Sequence, residues 1–136
     1  MTISDPRGFV SGLYADRLKN DPVTIANQFT EDAGFAIVGR PLANSAAVSR
    51  PARMSVTDMA QQIVDTWEWR DIQLGDVLAE GDLIVTRYEV TARHVPTGRE
   101  ITTEIVDFLT VKNGKVTDMR QYTDTAYLGE VVCSVT

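Results

Sequence analysis

Three consecutive strand-like segments, residues 83–94, 99–111 and 116–124, constrain this chain more than any other part of its sequence. Apolar residues alternate along each segment, which is typical of a β-sheet with one buried face. The segments are joined by two short hairpin-type turns, Val95-Pro96-Thr97-Gly98 and Lys112-Asn113-Gly114-Lys115. The sequence therefore predicts a twisted antiparallel sheet of long neighbouring strands.

Ionisable side chains interrupt two apolar rows of this predicted sheet. The row that begins at the start of the first segment reaches Arg87 and Glu89, and an apolar row of the second segment contains Asp107. If the first turn has three residues, with Gly98 in the left-handed conformation, Arg87 lies opposite Asp107 and Glu89 lies opposite Ile105. A two-residue turn would place Arg87 and Asp107 on opposite faces, because a slip of one residue reverses every side chain. We predict the first register, and with it a buried face that is partly a polar pocket.

Three helices are predicted ahead of these strands. Their start signals are a capping side chain, in two cases followed by proline: Asp5-Pro6, Asp21-Pro22 and Ser55. In the first helix, Tyr14 lies on the apolar stripe, so its phenol enters the core or a cavity. In the third helix, one face carries Met59, Ile63 and Trp67 at i, i+4 and i+8.

The remaining parts of the chain are a short strand that contains Phe35 and Ile37, a predicted loop over residues 39–54 and a strand over residues 71–79. The element order is thus helix, helix, strand, helix and four meandering strands. We predict a single α+β domain over residues 1–136, in which a curved, mixed or antiparallel sheet and three helices form a cone with an interior pocket.

The outer face of the predicted sheet is apolar enough to suggest a homodimer formed through that face. On the chosen register its apolar residues are Tyr88, Val90, Val106, Phe108 and Tyr122.

Composition narrows the possible partners. The net charge of −6 disfavours a nucleic-acid partner, and no apolar run is long enough for a membrane helix. The chain has one cysteine, Cys133, and one histidine, His94, which form no zinc ligand set. No secretory signal is visible, so we expect a cytoplasmic protein that acts on a small hydrophobic molecule without metal or cofactor.

The element order over nearly the whole chain resembles the NTF2-like superfamily, with its cystatin-like cone, and especially its SnoaL-like and ketosteroid isomerase-like members. Three stretches carry the resemblance: Gln28-Phe29-Thr30-Glu31-Asp32-Ala33, Asn113-Gly114-Lys115-Val116 and Met119-Arg120-Gln121-Tyr122-Thr123-Asp124. A two-residue turn at Asn113-Gly114 would bring Arg120 into the pocket, whereas the resemblance favours Gln121.

Two enzyme families of this group suggest roles for individual residues. Tyr14 and Asp107 resemble the two oxyanion donors of ketosteroid isomerases, but the position of the base falls on Ile37, which cannot take a proton. Arg87 and Glu89 resemble the Arg-x-Asp pair of limonene epoxide hydrolases. The positions that hold the attacking water in those enzymes fall on three residues that lack this capacity, Phe35, Ile37 and Gln121. Neither specific reaction is therefore predicted.

We predict that four residues carry proton-transfer chemistry in the cone. Arg87 keeps Asp107 ionised, Glu89 acts as the general base, and Tyr14 donates to the developing oxyanion. Isomerisation, dehydration and cyclisation are the reactions that such a set supports. The predicted substrate-binding residues are Phe35, Ile37, Met59, Ile63, Trp67, Ile105 and Gln121.

Three alternatives stay open at this point. Arg87 paired with Asp107 or with Glu89 is equally compatible with a structural ion pair that only holds two strands in register. The chain is also compatible with a non-catalytic protein that binds a small hydrophobic ligand, and with an NTF2-like adaptor dimer whose cone is filled by side chains.

Overall fold

The computed structural model describes residues 3–39, 48–50 and 54–133. Its helices and strands are α1 (Pro6–Arg17), α2 (Pro22–Ala26), β1 (Phe29–Ile37), β2 (Val48–Ser49), α3 (Val56–Thr66), β3 (Trp67–Glu80), β4 (Leu83–His94), β5 (Glu100–Lys112), β6 (Lys115–Thr123) and α4 (Thr125–Cys133). The predicted element order is present, with β2 and α4 in addition. Most of the loop predicted over residues 39–54 lies outside the described residues.

The six strands form one sheet in the order β2-β1-β6-β5-β4-β3. The pairing of β1 with β6 is parallel and the other four pairings are antiparallel, so the sheet is mixed. Helix α1 packs on β3, α2 packs on α3, and α3 packs on β1 and β3. The predicted α+β cone is thereby confirmed. Helix α4 adds Leu128 and Val131 to the core.

The three helix starts follow from their capping side chains. The carboxylate of Asp5 accepts a hydrogen bond from the backbone N–H of Gly8 at 3.0 Å, and that of Asp21 accepts one from Thr24. The hydroxyl of Ser55 accepts a hydrogen bond from the backbone N–H of Asp58, also at 3.0 Å. Each cap satisfies a backbone donor that the first helical turn leaves without a partner.

The pairing of β4 with β5 differs from the predicted register by one residue. Gly98 has the expected left-handed conformation, with φ of 73°, but the backbone N–H of His94 donates to the carbonyl of Arg99, so the loop contains four residues. Thr86, and not Arg87, therefore lies opposite Asp107.

This register reverses the faces of β4. The inward row consists of Ile84, Thr86, Tyr88, Val90, Ala92 and His94, all of them buried. The predictions that Tyr88 and Val90 lie on the outer face and that Arg87 and Glu89 lie in the pocket are wrong. The reason is energetic, because burying two charges costs far more than burying a row without charges.

The hairpin between β5 and β6 has the two-residue turn, and yet Gln121 rather than Arg120 faces inward. Asn113 and Gly114 form a two-residue turn, with φ values of 52° and 76°. A bulge at Thr117 then shifts the register by one residue, so that Gln121 lies opposite Asp107. Gln121 therefore faces inward, as the family resemblance favoured, even though the turn is the shorter one.

Among the described residues, no helix is long and apolar enough to cross a membrane. The expected cytoplasmic location stays a prediction.

Two glycines provide a test of this packing. A Cβ atom added at Gly75 in β3 would lie 2.9 Å from the backbone carbonyl oxygen of Arg87, whereas one added at Gly12 in α1 meets no atom within 4 Å. We expect Gly75→Ala to lower the free energy of unfolding by roughly 1–3 kcal/mol, because the strands must separate. Gly12→Ala should raise it by up to about 1 kcal/mol through helix propensity. Urea denaturation measures both changes, and shifts of the same sign would contradict the β3–β4 geometry.

Candidate functional site

A cavity lies between the helices and the inner face of the sheet. Its volume is about 70 Å³. Its lining is mostly apolar and consists of Leu13, Tyr14, Arg17, Ile25, Gln28, Phe29, Phe35, Ile37, Ile63, Trp67, Trp69, Met119 and Gln121.

Five of the seven residues predicted to bind substrate are among those lining residues: Phe35, Ile37, Ile63, Trp67 and Gln121. The periodicity predicted that Trp67 continues α3, but the residue begins β3. Met59 and Ile105 are buried in the core and do not line the cavity. Whether the five contact a ligand stays a prediction.

One end of the cavity carries a buried cluster of hydroxyl groups around Asp107. The hydroxyls of Tyr14 and Tyr88 each donate to Oδ2 of Asp107 at 2.7 Å. The Tyr14 hydroxyl also lies 2.6 Å from Oγ1 of Thr86, and the side-chain amide of Gln121 donates to the Tyr88 hydroxyl at 3.3 Å. Tyr14 and Gln121 line the cavity, and Asp107 lies behind them.

Asp107 is completely buried, and this burial decides its chemistry. Burial raises the pKa of its carboxyl group to about 6, although the hydrogen bonds from the tyrosine hydroxyls act in the opposite direction. Its second oxygen, Oδ1, has no hydrogen-bond partner among the described residues. Asp107 can therefore exchange a proton near neutral pH, as a group that handles protons in catalysis must.

The two tyrosines remain protonated beside this carboxyl group. Burial and the negative charge of Asp107 both raise the pKa of Tyr14 and of Tyr88 well above the ordinary value. At neutral pH both hydroxyls are therefore hydrogen-bond donors. Tyr14 lines the cavity and also bonds the buried carboxyl group, so it is the residue that joins the two.

Arg87 and Glu89 lie outside this site. The guanidinium of Arg87 forms ion pairs on the outer face with Asp76 at 2.7 Å and with Glu104 at 3.2 Å. Glu89 is exposed and lies opposite Glu104 in the β4–β5 pairing. The predicted pairing of Arg87 with Asp107, catalytic or structural, is therefore wrong, and Glu89 cannot reach a ligand in the cavity.

Sequence reasoning missed Thr86, Tyr88 and Arg17. The first two belong to the charge-free row of β4, which the alternation already distinguished from the row that carries Arg87 and Glu89. Arg17 follows Tyr14 by three residues, the spacing that places side chains on one helix face. Its exposed fraction is only 8%, and its guanidinium stacks 4.5 Å from the ring centre of Trp69.

Within the described part of the chain, no group of three or more His, Cys, Asp or Glu residues is arranged so that it could hold a metal ion.

Residues 10–119 match the family model described as a SnoaL-like domain, and the chain therefore belongs to the SnoaL-like family. A comparison with curated proteins finds no match.

Several solved structures share the fold. SalBIII, an epoxide hydrolase/cyclase-like enzyme in pyran ring formation in the polyether salinomycin, aligns with a TM-score of 0.71 and 20% identity over 88% of this chain and 91% of its own. An LEH-like epoxide hydrolase from M. tuberculosis aligns with a TM-score of 0.69 and 14% identity over 95% and 91%. An NTF2-like protein from Burkholderia xenovorans aligns with a TM-score of 0.69 and 21% identity over 96% and 97%. At these identities the likeness concerns the fold alone.

The raised pKa of Asp107 predicts a specific dependence of stability on pH. The folded state favours the protonated form of this carboxyl group. Its contribution to the free energy of unfolding is therefore full below about pH 4 and is lost as the pH rises through about 6. The difference in unfolding free energy, Asp107→Asn minus wild type, should therefore grow by roughly 2–2.5 kcal/mol between pH 4 and pH 8.

Urea denaturation of both proteins across this pH range measures the difference, in which the other titrating groups cancel. Carbon-13 NMR of the Asp107 carboxyl group gives its pKa directly. A difference in stability that is constant with pH would contradict the proposed state of Asp107.

Proposed function

We propose that this protein is a small-molecule enzyme of the isomerase, dehydratase or cyclase type, which moves a proton in an apolar cavity without a metal. The observation that carries this proposal is the buried carboxyl group of Asp107, whose pKa is raised to about 6 and which accepts a hydrogen bond from the hydroxyl of Tyr14, a residue that lines the cavity. Membership of the SnoaL-like family and the cyclase-like enzyme that shares the fold support it.

The proton path in this proposal runs through Tyr14. Asp107 does not line the cavity, and no Asp, Glu or His is among the described residues that do. In the proposed step, the Tyr14 oxygen accepts a proton from a carbon beside a carbonyl group of the substrate while the Tyr14 hydroxyl passes its own proton to ionised Asp107, and the reverse transfer returns a proton to the substrate. The Gln121 amide steadies the Tyr88 hydroxyl at the same carboxyl oxygen. Asp107 thus replaces Glu89 as the proposed proton-handling carboxylate.

A non-catalytic protein that binds a small hydrophobic molecule is the second candidate. It is favoured by the mostly apolar lining and by the position of Asp107 behind the wall. In that case the Tyr14–Asp107–Tyr88 cluster only satisfies buried polar groups and fixes the shape of the cavity.

Deuterium incorporation separates the two candidates without knowledge of the natural substrate. Small cyclic ketones and β-hydroxy ketones are incubated with the protein in D₂O, and NMR measures exchange beside the carbonyl group and loss of water. We expect rates above buffer for the wild type. Tyr14→Phe and Asp107→Asn should lower them by roughly 10²-fold or more, because each interrupts the proton path.

Glu89→Gln is the matched control, since it removes an exposed carboxylate of the neighbouring strand, and its rates should equal those of the wild type. If the ketones bind but neither the wild type nor any variant catalyses exchange, the result would support the non-catalytic binding protein. Exchange that persists in Asp107→Asn would contradict the proposed role of Asp107.

We also propose a homodimer formed through the outer face of the sheet. Phe108 and Tyr122 are 38% and 42% exposed there, and their rings contact each other edge to face at 5.6 Å. Neighbouring exposed aromatic residues of this kind are typical of protein interfaces.

Analytical ultracentrifugation tests this dimer. Wild type should sediment as a dimer, and Phe108→Lys should sediment as a folded monomer because a charge would lie in the interface. Val23→Lys is the control, since Val23 is 57% exposed on α2, away from the outer face. A monomeric wild type would refute the dimer.

A further inference from the structure

The cavity contains a buried cation that the chemistry proposed above does not use. Arg17 has an exposed fraction of 8% and is the only charged residue among the described residues that line the cavity. Buried charges in proteins are normally paired with an opposite charge, because removing them from water is costly.

Arg17 has no such pair within the described part of the chain. One terminal nitrogen donates to the side-chain oxygen of Asn20 at 2.9 Å, and the other donates to the backbone carbonyl of Trp67 at 3.0 Å. Both acceptors are neutral. A guanidinium has five N–H donors, so three of them have no acceptor among the described residues.

The guanidinium is nevertheless held in place. Asn20 also bonds both the N–H and the carbonyl of Trp69, which ties the end of α1 to β3. The guanidinium lies over the Trp69 ring, and that ring is 6.4 Å from the ring of Tyr14. Burial lowers the pKa of Arg17 to about 10, so the group remains charged at neutral pH. A fixed, charged and incompletely bonded guanidinium is therefore present in the wall of an apolar cavity.

We propose that the ligand of this cavity is a small, mostly apolar organic anion whose carboxylate group pairs with Arg17. The planar fork of a guanidinium matches the two oxygens of a carboxylate, and the low polarity of the cavity strengthens the pairing. The hydrocarbon part of the ligand packs on the apolar wall formed by Phe35, Ile37, Ile63 and Met119. This inference deepens the proposed function, because it names the substrate class of the same site.

The two tryptophans of the chain, Trp67 and Trp69, both line this cavity, so intrinsic fluorescence reports binding directly. Cyclohexanecarboxylate and cyclohexanecarboxamide are suitable probes, because they have nearly the same size and differ in charge. We expect the wild type to bind the carboxylate at least about tenfold more tightly, which corresponds to about 1.4 kcal/mol.

Three variants assign the preference to Arg17. Arg17→Gln should bind both probes with similar affinity, with the loss confined to the carboxylate, and Arg17→Lys should keep part of the preference because it retains the charge. Arg7→Gln, which removes an exposed arginine of the same helix, should behave like the wild type. Thermal unfolding checks that each variant is folded.

Equal affinities of the wild type for the two probes would overturn the inference. So would failure of both probes to bind at millimolar concentration, or a carboxylate preference that survives in Arg17→Gln.

Asp107→Asn separates this inference from the proposed function. If the wild type prefers the carboxylate but neither it nor any variant catalyses deuterium exchange, the proposed catalysis fails. Arg17 then recognises an anion in a non-catalytic binding protein. If exchange depends on Asp107 but the two probes bind equally, the enzyme stands and the anionic substrate class is refuted.

Discussion

The pairing of Thr86 with Asp107 across β4 and β5 is the constraint on which the rest of the site depends. Because side chains alternate between the two faces of a strand, this one pairing places Tyr88 inside and Arg87 and Glu89 outside. A slip of one residue would bury an arginine and a glutamate and would expose a tyrosine. The four-residue loop after His94 and the cost of burying charge both oppose that slip.

This fold buries the ionisable side chains of Asp107 and Arg17 in different positions. The carboxyl group of Asp107 lies behind two tyrosine hydroxyls and titrates near neutral pH, while Arg17 faces the cavity at the end of α1. Asp107 is completely buried and Arg17 is 8% exposed, so both groups have little access to water. Such a cavity combines a group that can move a proton with a group that can hold an anion, and both gain strength from the low local polarity.

The sequence signals that held were those that depend on neighbours in the chain. Asp5, Asp21 and Ser55 cap their helices, and Asn113-Gly114 forms the turn that its sequence favours, because these interactions involve residues only a few positions apart. The sequence also distinguishes the row of β4 that carries no charge from the row that carries Arg87 and Glu89. Comparing the two rows of that strand by the cost of burial, rather than by which row contained possible catalytic groups, would have placed Thr86 and Tyr88 inside.

The sequence by itself determined the family, the element order and the three helix starts, because local hydrogen bonds and hydrophobic periodicity are encoded over short stretches. Only the tertiary structure decided the four-residue loop after His94 and the bulge at Thr117, which together place Thr86 and Gln121 opposite Asp107. It also decided that Arg17 has no charged partner within the described residues, since that depends on elements distant in the chain. Register and pairing are properties of the assembled sheet, and no single segment contains them.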